Sequence, residues 1–566
     1  MQGFEHKMHF GIDLGTTNSL ISVFENGQAR LIGGEAPLFP SVVSVLDCAL
    51  VVGPVAKERL VAHPEATVAA FKRAMGTQKS FRLGKTSLSA PDLSALVLRA
   101  LRERAEAELG VPVRDVVISV PAYFNQIQRR AVRQAALSAD LNPIRLVNEP
   151  TAAALAYGLQ DIDGEGHILV FDLGGGTFDV SIVEIFERVI EVKATSGDAY
   201  LGGEDFTEAL VAHFIDTLGL RALSSEERAQ LWGACEALKH QLSTAHAARC
   251  SFHPRKGEVE LAITREGFAE VVSPLVQRLR LPVERALYDA KLGREQIDRV
   301  VLVGGATRMP VVRALVARLL GKLPEAGLDP DLVVALGAAT QAALIARDAA
   351  FDDVMMTDVS AFSLGFEVAR RQGNTQISGY FQPVIERNTV IPVSREHRFS
   401  PANERQKMVK LALYQGEAPL VKDNIALGHL EVRLPPGASV NEQISVRLSY
   451  DTSGLIEVDA RVLSSGLQTS LVIEALAGEM SAAEREARRK ALAALKVHPR
   501  DEEANIALMA RIERWYAMAR GGDRDWLQAM LAAFQDLLEG QNLSDIAQAR
   551  TAISADLDAF EARYVR

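Results

Sequence analysis

Two glycine-rich segments repeat one pattern of acid, glycine and hydroxyl residues 159 positions apart. The first is DLGTTNS, beginning at Asp13, and the second is DLGGGTFD, beginning at Asp172; each follows an apolar run. Glycines let backbone N–H groups approach phosphate oxygens, threonine hydroxyls add donors, and an aspartate can hold a hydrated divalent ion. A single turn of this kind usually only reverses the chain. Two matched turns predict two halves that grip one polyphosphate between them.

The region that contains both segments alternates between strand-like and helical patterns. Asp115–Val120, Ile168–Phe171 and Val300–Val303 are apolar runs, whereas Leu93–Leu109 and Gln126–Leu137 have helical spacing. A third glycine turn, VGGATRMP, begins at Val303, and a fourth, GDAYLGGE, begins at Gly197. The alternation predicts an α/β domain with buried sheets over residues 1–351. Its paired halves favour the actin/hexokinase-type ATPase fold.

The rest of the chain changes period twice. A short segment with acidic flanks, residues 352–358, is predicted to be a linker. Apolar residues then alternate with polar ones over 359–480, as in Ile444–Tyr450 and Ile456–Val462, which predicts an antiparallel β-sandwich. Residues 481–566 return to helical spacing, with a capping box at Ser481 and Glu484. The predicted fold class is therefore multidomain, α/β followed by β and then α.

Composition excludes several classes of function. A net charge of −10 argues against a surface that binds nucleic acid, because such surfaces concentrate positive charge. Three cysteines without metal spacing favour a reducing compartment over a disulfide framework. There is no apolar run of about 18 residues that would span a membrane, and residues 1–9 lack the apolar core of a signal peptide. We therefore expect a cytoplasmic protein.

Motifs in unbroken order connect these regions to one family. IDLGTTNS, VPAYF, NEPTAAALAYG, DLGGGTFDVS, LGGEDF and VGGATRMP resemble the nucleotide-binding domain of DnaK-type seventy-kilodalton heat-shock chaperones. SLGFEV, ERNTVIPV and YQGE resemble the peptide-binding domain of the same family. The resemblance covers about residues 10 to 500, and the shortened segments are most similar to the compact bacterial HscC branch. It implies a sandwich that binds peptides at 359–480 and a helical lid at 481–566.

The resemblance implies an ATPase site that uses ATP or ADP with Mg²⁺, and K⁺ as a further candidate ion. The catalytic residues it implies are Asp13, Lys72, Glu149, Asp172, Thr177 and Asp179, of which Asp13, Glu149 and Asp172 would face the metal largely through water. The nucleotide-binding residues it implies are Gly15, Thr16, Thr17, Asn18, Gly174, Gly175, Gly176, Gly202, Gly203, Glu204, Glu236, Lys239, Ser243, Gly304, Gly305, Arg308 and Asp331.

The resemblance also implies coupling between this site and a peptide clamp. The coupling residues are Pro121, Arg129, Val354, Met355, Met356 and Asp358, and the peptide-binding residues are Phe366, Phe399, Ala402, Val409 and Leu411. Thr357 stands within a linker segment that is usually leucine-rich, which reduces the apolar surface available for docking. The implied partners are unfolded or extended polypeptides and a J-domain cochaperone, without nucleic acid or membrane; dependence on a nucleotide exchange factor stays open.

Several of these residues have ordinary alternative roles when they are considered alone. Lys72 would be a solvated lysine, Glu149 an acid at a helix N-terminus, and Asp179 a turn cap. Glu236 and Lys239 would form a surface ion pair, and the peptide-binding residues would be sandwich core. Two other functions use the same ATPase fold, a small-molecule kinase and a filament-forming ATPase. Neither explains the sandwich and lid after residue 358.

Overall fold

The computed structural model describes residues 8–47, 49–158, 165–220, 223–254, 257–325, 327, 329–347, 355–372, 375–452, 454–473 and 498–564. The chain divides into two compact units. Unit 1 comprises Met1–Ser363 and Glu386–Ile391, and unit 2 comprises Leu364–Ile385 and Pro392–Arg566. In the described parts of the chain, every helix is too short or too polar to cross a membrane.

Unit 1 is an α/β structure with two large sheets. Its strands are β1 His9–Asp13, β2 Asn18–Glu25, β3 Gln28–Leu31, β4 Phe39–Pro40, β5 Val43–Leu46, β6 Ala49–Val52, β7 Thr67–Val68, β8 Ser80–Leu83, β9 Thr86–Ser89, β10 Asp115–Val120, β11 Asn142–Asn148, β12 Gly166–Leu173, β13 Phe178–Phe186, β14 Val189–Asp198, β15 Ala247–Phe252, β16 Val259–Thr264, β17 Arg299–Val303, β18 Met355–Val359 and β21 Val390–Ile391. Its helices are α1 Pro54–Ala62, α2 Ala90–Leu109, α3 Gln126–Ser138, α4 Glu149–Gly158, α5 Gly203–Leu218, α6 Ser225–Leu242, α7 Arg265–Val271, α8 Ser273–Ala290, α9 Pro310–Leu320 and α10 Val333–Ile345.

The two large sheets repeat one arrangement of strands. The first has the order β11-β10-β1-β2-β3, with β4 pairing β2, and the second has the order β17-β12-β13-β14-β18-β21. In each, a glycine-rich hairpin joins an antiparallel pair, β1 with β2 or β12 with β13. The first strand of each hairpin also pairs in parallel with a neighbour, β10 or β17. This internal repeat confirms the predicted α/β fold with paired halves.

Helix α10 packs between the two halves of unit 1. Its run of alanine and valine is buried on nearly every side, and Gly337 lies against the backbone of Ala152 in α4. A Cβ atom added at Gly337 would lie 1.8 Å from the Ala152 carbonyl oxygen, and one added at Gly11 of β1 would lie 2.0 Å from the Ala339 nitrogen. Two glycines therefore permit the close helix–helix and helix–sheet contacts that fix this helix against α4 and against the first sheet.

Unit 2 combines two four-stranded antiparallel sheets with a helical bundle. The strands are β19 Leu364–Gln372, β20 Thr375–Ile385, β22 Val393–Phe399, β23 Met408–Gln415, β24 Ile425–Arg433, β25 Ile444–Tyr450, β26 Ile456–Val462 and β27 Gln468–Ile473. The sheet orders are β20-β19-β23-β24 and β22-β25-β26-β27. The helices are α11 Glu503–Met518, α12 Gly522–Gly540 and α13 Leu543–Tyr564. This order of β then α confirms the prediction; the capping box at Ser481 and Glu484 lies outside the described residues.

The segment predicted as a linker contributes a strand to unit 1 in its described part. Strand β18 pairs in parallel with β14, from Val189 with Met355 to Glu191 with Thr357, and antiparallel with β21. Residues 352–354, including Val354, lie outside the described residues. The hexapeptide Glu386–Ile391 also belongs to unit 1, although it lies in sequence between two strands of the sandwich.

Candidate functional site

The two glycine-rich hairpins meet at one place in unit 1. Thr17 of the first hairpin lies against Gly175 of the second, where an added Cβ would stand 2.2 Å from the Thr17 hydroxyl oxygen. A Cβ atom added at Gly176 would stand 3.0 Å from the Thr16 methyl group. Glycine is therefore required in the second hairpin by the approach of the first. The sequence repeat produces two opposed loops rich in backbone N–H groups, with Gly15, Asn18 and Gly174 in the same turns.

Three aspartates from these hairpins are buried together. Asp172 and Asp179 face each other across β12 and β13, and Asp13 ends β1. Burial, reinforced by the Glu149 charge, raises the pKa of Asp13 to about 7 and that of Asp179 to about 7. The pKa of Asp172 is also raised well above its usual range by burial and then by Glu149. Carboxyl groups held so close together without water require cations for full ionisation.

Lys72 is the cation that the structure places among them. Its ammonium donates to Glu149 Oε1 at 2.7 Å, and both side chains are almost fully buried. The Phe124 ring lies beneath the same ammonium, 5.6 Å from Nζ to the ring centroid. The alternative of a solvated surface lysine is therefore wrong. Glu149 does begin helix α4, yet it also faces the site.

The cluster fits a hydrated metal ion and a polyphosphate. The Asp172 Oδ2 atom is buried without a hydrogen-bond partner, which leaves one carboxyl oxygen of the cluster to be satisfied by a ligand. Over the described residues, no three acidic, histidine or cysteine side chains are close enough to ligate one ion directly. Asp13, Glu149 and Asp172 could hold a hydrated Mg²⁺, because that ion keeps several of its water molecules when carboxylates bind it. Thr177 lies in the turn beside them, where its carbonyl accepts the Gly174 N–H.

The other predicted nucleotide-binding residues continue from the second hairpin. The Gly203 and Glu204 N–H groups donate to the Gly174 and Gly175 carbonyls, each at 2.9 Å. An added Cβ at Gly202 would meet the Gly176 nitrogen at 2.4 Å, and one at Gly304 would meet the Leu173 carbonyl oxygen at 2.3 Å. The glycine turns thus pack against each other's backbone and form one continuous surface.

Lys239 secures this surface from helix α6. Its ammonium donates to the Gly203 carbonyl oxygen and the Thr207 hydroxyl, each at 2.8 Å, and pairs with Glu236 at 2.7 Å. Burial acts to raise the pKa of Glu236, but hydrogen bonds from His240, Lys239 and Thr207 lower it to about 2. Burial raises the pKa of Glu204 to about 7. An exposed ion pair between Glu236 and Lys239 is therefore the wrong interpretation, because Lys239 is buried.

The remaining predicted nucleotide-binding residues lie at the edge of this surface. The Arg308 guanidinium donates to Asp331 at 2.8 Å and to Asp329 at 2.6 Å, and it stays half exposed. Gly305 lies beside Asp331, with 2.7 Å between a Cβ position and Oδ1. Ser243 follows the last residue of α6, and its carbonyl accepts from Arg265. A planar cation at an exposed edge is suited to cover an aromatic base.

Hydrogen bonds join the predicted coupling residues to the aspartate cluster. Arg129 donates to the carbonyls of Ala122 and Phe124, in the turn after Pro121, and to Asn148 Oδ1 at 2.5 Å. The Asn148 amide donates to Asp358 of β18 at 2.9 Å. Burial raises the pKa of Asp358. Met356 packs against the apolar core beneath β14.

Sequence reasoning missed Asn148 and Arg73. Asn148 is the first residue of the NEPT motif, and its place next to Glu149 was the available signal. Arg73 follows Lys72, and its guanidinium reaches Asp205 at 3.1 Å and the Tyr200 carbonyl at 3.2 Å. It thereby connects the segment that carries Lys72 to the start of helix α5. Lys72 and Arg73 are adjacent basic residues, and no local sequence pattern indicates that their side chains contact different parts of unit 1.

In unit 2, the predicted peptide-binding residues are divided between core and surface. Phe366 is fully buried and Leu411 is 3% exposed, so both contribute to the sandwich core. Val409 and Phe399 are half-buried, and Ala402 is exposed. The Phe399 and Phe366 rings pack edge to face, with centroids 5.5 Å apart. Phe399 and Val409 are therefore the members that retain apolar surface for a ligand beside a rigid support.

Comparisons with known proteins agree with this arrangement. The family model described as Hsp70 protein matches residues 9–82 and 79–557. The chain is 38% identical over 597 aligned positions to a chaperone protein HscA homolog of Ralstonia nicotianae, covering 99% of this chain and 94% of that protein. It is 39% identical over 482 positions to the chaperone protein DnaK of Thermotoga petrophila, and equally to that of Thermotoga maritima, covering 82% of this chain and 80% of each relative.

These matches do not distinguish branches within the family, so the similarity to the HscC branch stays a prediction. They confirm the resemblance of the motifs, since the match runs through both units. The chain therefore belongs to the Hsp70 family of ATP-hydrolysing chaperones.

Proposed function

We propose that this chain binds extended apolar segments of unfolded polypeptides in its β-sandwich, and that ATP hydrolysis in unit 1 controls their release. The observation that carries the proposal is a continuous hydrogen-bonded path within unit 1. It runs from Asp358 through Asn148 and Arg129 to Ala122, whose N–H donates to Asp179 at 3.2 Å. The segment that leads into the peptide-binding domain thereby contacts the aspartate cluster through three intermediate residues.

The side chains of the cluster suit hydrolysis of a terminal phosphate by water. Mg²⁺ bound with the nucleotide would neutralise polyphosphate charge beside Asp13, Glu149 and Asp172. Lys72 would stabilise charge that develops on the transferred phosphoryl group and hold the attacking water with Glu149. Thr177 and Asp179 would complete the second hairpin around the phosphate. A role for K⁺ stays a prediction, and no residue of the described chain is assigned to it.

Coupling residues would transmit nucleotide state to the linker. When the phosphate draws the two hairpins together, the Pro121 turn moves with Asp179, because that carboxylate accepts from Ala122 and Tyr123. Arg129 and Asn148 would then strengthen or weaken their hold on Asp358. A buried carboxylate that loses the amide bound to it is left unsatisfied, so an intermediate position of Asp358 would be less stable than either end position. This favours two discrete positions of strand β18.

The sandwich would clamp an extended chain through apolar side chains at one end. Phe399 and Val409 offer partly exposed apolar surface, supported by Phe366 and Leu411 behind them. An extended peptide can satisfy its backbone in such a groove while one central side chain fills a pocket. We further propose a J-domain cochaperone as the partner that stimulates hydrolysis and leave the need for an exchange factor open. The domain boundaries at 351, 358 and 480 and the cytoplasmic location also stay proposals.

The decisive experiment measures how ATP changes the lifetime of a bound fluorescent apolar heptapeptide. We expect ATP with Mg²⁺ to accelerate release at least tenfold relative to ADP with Mg²⁺. Asp358→Asn provides a variant that keeps the residue's size but removes the charge, and we expect it to reduce the acceleration while leaving peptide affinity in ADP unchanged. Equal peptide lifetimes in ATP, in ADP and without nucleotide would overturn the proposal.

A further inference from the structure

The bend that directly follows strand β18 is built by hydrogen bonds inside unit 1. The Ser360 N–H donates to the Thr389 carbonyl at 2.9 Å, and its own carbonyl accepts from the Asn388 N–H at 2.7 Å. The Ser360 hydroxyl donates to the Phe362 carbonyl at 2.7 Å, while Ser363 Oγ accepts from the Arg387 N–H at 3.0 Å. The bend Ser360–Ser363 is thus fixed as firmly as a secondary-structure element.

This bend directs one aromatic ring onto the turn that holds Asp179. The ring centroids of Phe362 and Tyr123 are 4.4 Å apart with an interplanar angle of 49°. The Tyr123 N–H donates to Asp179 Oδ1 at 3.1 Å, and the neighbouring Ala122 N–H donates to Oδ2 at 3.2 Å. The ring contact and the carboxylate contact therefore belong to the same residue, Tyr123.

The turn is held from several sides, and Phe362 contributes a contact that lies outside the path through Arg129. Arg129 fixes the Ala122 and Phe124 carbonyls, and Asp179 accepts the two N–H groups. The Tyr123 hydroxyl accepts from the Arg285 guanidinium at 3.4 Å, whereas Phe362 packs on the ring itself. Aromatic pairs of this separation stabilise each other beyond the burial of their area, which is enough to select one orientation of a turn.

We propose that Phe362 is a positioning residue for ATP hydrolysis, which orients Asp179 by packing on Tyr123. The inference rests on the proposed role of Asp179 in the site. It assigns to the bend after β18 a contribution separate from the Asp358 path: Asp358 acts through a side-chain amide and a guanidinium, whereas Phe362 acts through a ring on the backbone donors themselves. Small displacements of such donors reduce hydrolysis without changing how tightly the nucleotide binds.

The test compares single-turnover ATP hydrolysis and ATP affinity in the full-length chain. We expect Phe362→Ala to slow hydrolysis about tenfold while the Kd for ATP changes less than about twofold, and Phe362→Tyr to restore the rate. Phe186→Ala, at a 51% exposed phenylalanine of unit 1, is the matched control and should behave as wild type. The double variant Tyr123→Ala with Phe362→Ala should be no slower than Tyr123→Ala alone, because both remove one contact.

Wild-type hydrolysis by Phe362→Ala overturns the proposal, as do additive losses in the double variant. A loss of ATP affinity that matches the loss of rate, without rescue by tyrosine, also overturns it, because general destabilisation would then be sufficient. Asp179→Asn is measured alongside. Wild-type hydrolysis by Asp179→Asn would contradict the role of Asp179 itself, whereas a slow Asp179→Asn with a fast Phe362→Ala would contradict the positioning role alone.

Discussion

Lys72 and Glu149 form a buried ion pair whose atoms are 2.7 Å apart in the centre of the aspartate cluster. The pair is close to three carboxyl groups, and its lysine supplies positive charge that acts to lower their pKa values, whereas Glu149 acts to raise them. Breaking a buried pair by removing one partner leaves an uncompensated charge, whereas the intact pair holds each side chain in place.

Replacing this lysine should affect the chemical step most strongly. We expect Lys72→Ala to reduce single-turnover ATP hydrolysis by roughly 10²-fold or more, because a preorganised charge near the transferred phosphoryl group is lost. ATP binding should be preserved, since the glycine turns and Lys239 remain. Lys79→Ala, at an exposed lysine of the same unit, is the control. Hydrolysis at the wild-type rate in Lys72→Ala would remove Lys72 from the mechanism.

The raised pKa values of the aspartates predict a pH-dependent stability of the nucleotide-free protein. Burial raises the pKa of Asp13 and of Asp179 to about 7, above the usual 3.8, so the native state binds these protons more tightly than the unfolded state. Their contribution to stability is complete below pH 3.8 and is lost as the pH rises through 7. We expect the free energy of unfolding of unit 1 to fall between pH 5.5 and pH 8.

That fall can be measured with Trp232, after Trp515 and Trp526 of unit 2 are replaced by phenylalanine. Denaturant unfolding at the two pH values gives the difference in free energy. Asp179→Asn should shrink the difference, because one buried carboxyl no longer ionises, and Mg²⁺ with ADP should shrink it as well. A difference that is the same in Asp179→Asn and wild type would show that this carboxyl does not titrate as its burial predicts.

The sequence predicted the two hairpins and the alternation of strands and helices because these depend on local patterns. Asp13 and Asp172 could be placed together because each ends an apolar strand before a glycine turn. Asn148 with Asp358, 210 residues apart, could not be paired, because neither residue has a neighbour that indicates the other. The sequence also did not indicate that Glu386–Ile391 belongs to unit 1, because this depends on hydrogen bonds from Arg387 and Asn388 to Asp289.

Thr357 predicts a stabilising substitution in strand β18. Its hydroxyl oxygen is buried without a hydrogen-bond partner, a situation that costs about 1–3 kcal/mol. We expect Thr357→Val to stabilise the docked strand by about 1 kcal/mol and to slow amide hydrogen exchange in β18. Thr195→Val is the matched control on β14, because the Thr195 hydroxyl lies 2.9 Å from Ser181 Oγ and its removal should destabilise. Equal effects of the two substitutions would argue against a penalty at Thr357.

Gln541 predicts how the helical bundle of unit 2 is attached to the sandwich. Its side-chain amide accepts from the Glu396 N–H at 3.0 Å and donates to the Glu396 carbonyl at 2.7 Å. Glu396 lies on the edge strand β22, so the amide satisfies the two backbone groups that a further strand would otherwise pair with. Gln541→Ala should accelerate hydrogen exchange at Glu396 about tenfold, corresponding to about 1.4 kcal/mol. The exposed Gln528 of α12 supplies the control, Gln528→Ala. Unchanged exchange at Glu396 would mean that the bundle does not protect this edge.

Val409 offers the sharpest test of the peptide pocket because it is half-buried on a strand whose next inward residue, Leu411, is core. Val409→Phe adds volume where the groove would receive a ligand side chain, so affinity for an apolar heptapeptide should fall at least tenfold. Met408→Phe changes the neighbouring, exposed residue of the same strand and should leave affinity unchanged. Since the two positions face opposite sides of β23, their contrast separates occlusion from strand damage. Equal affinities in both variants would place the peptide elsewhere on the sandwich.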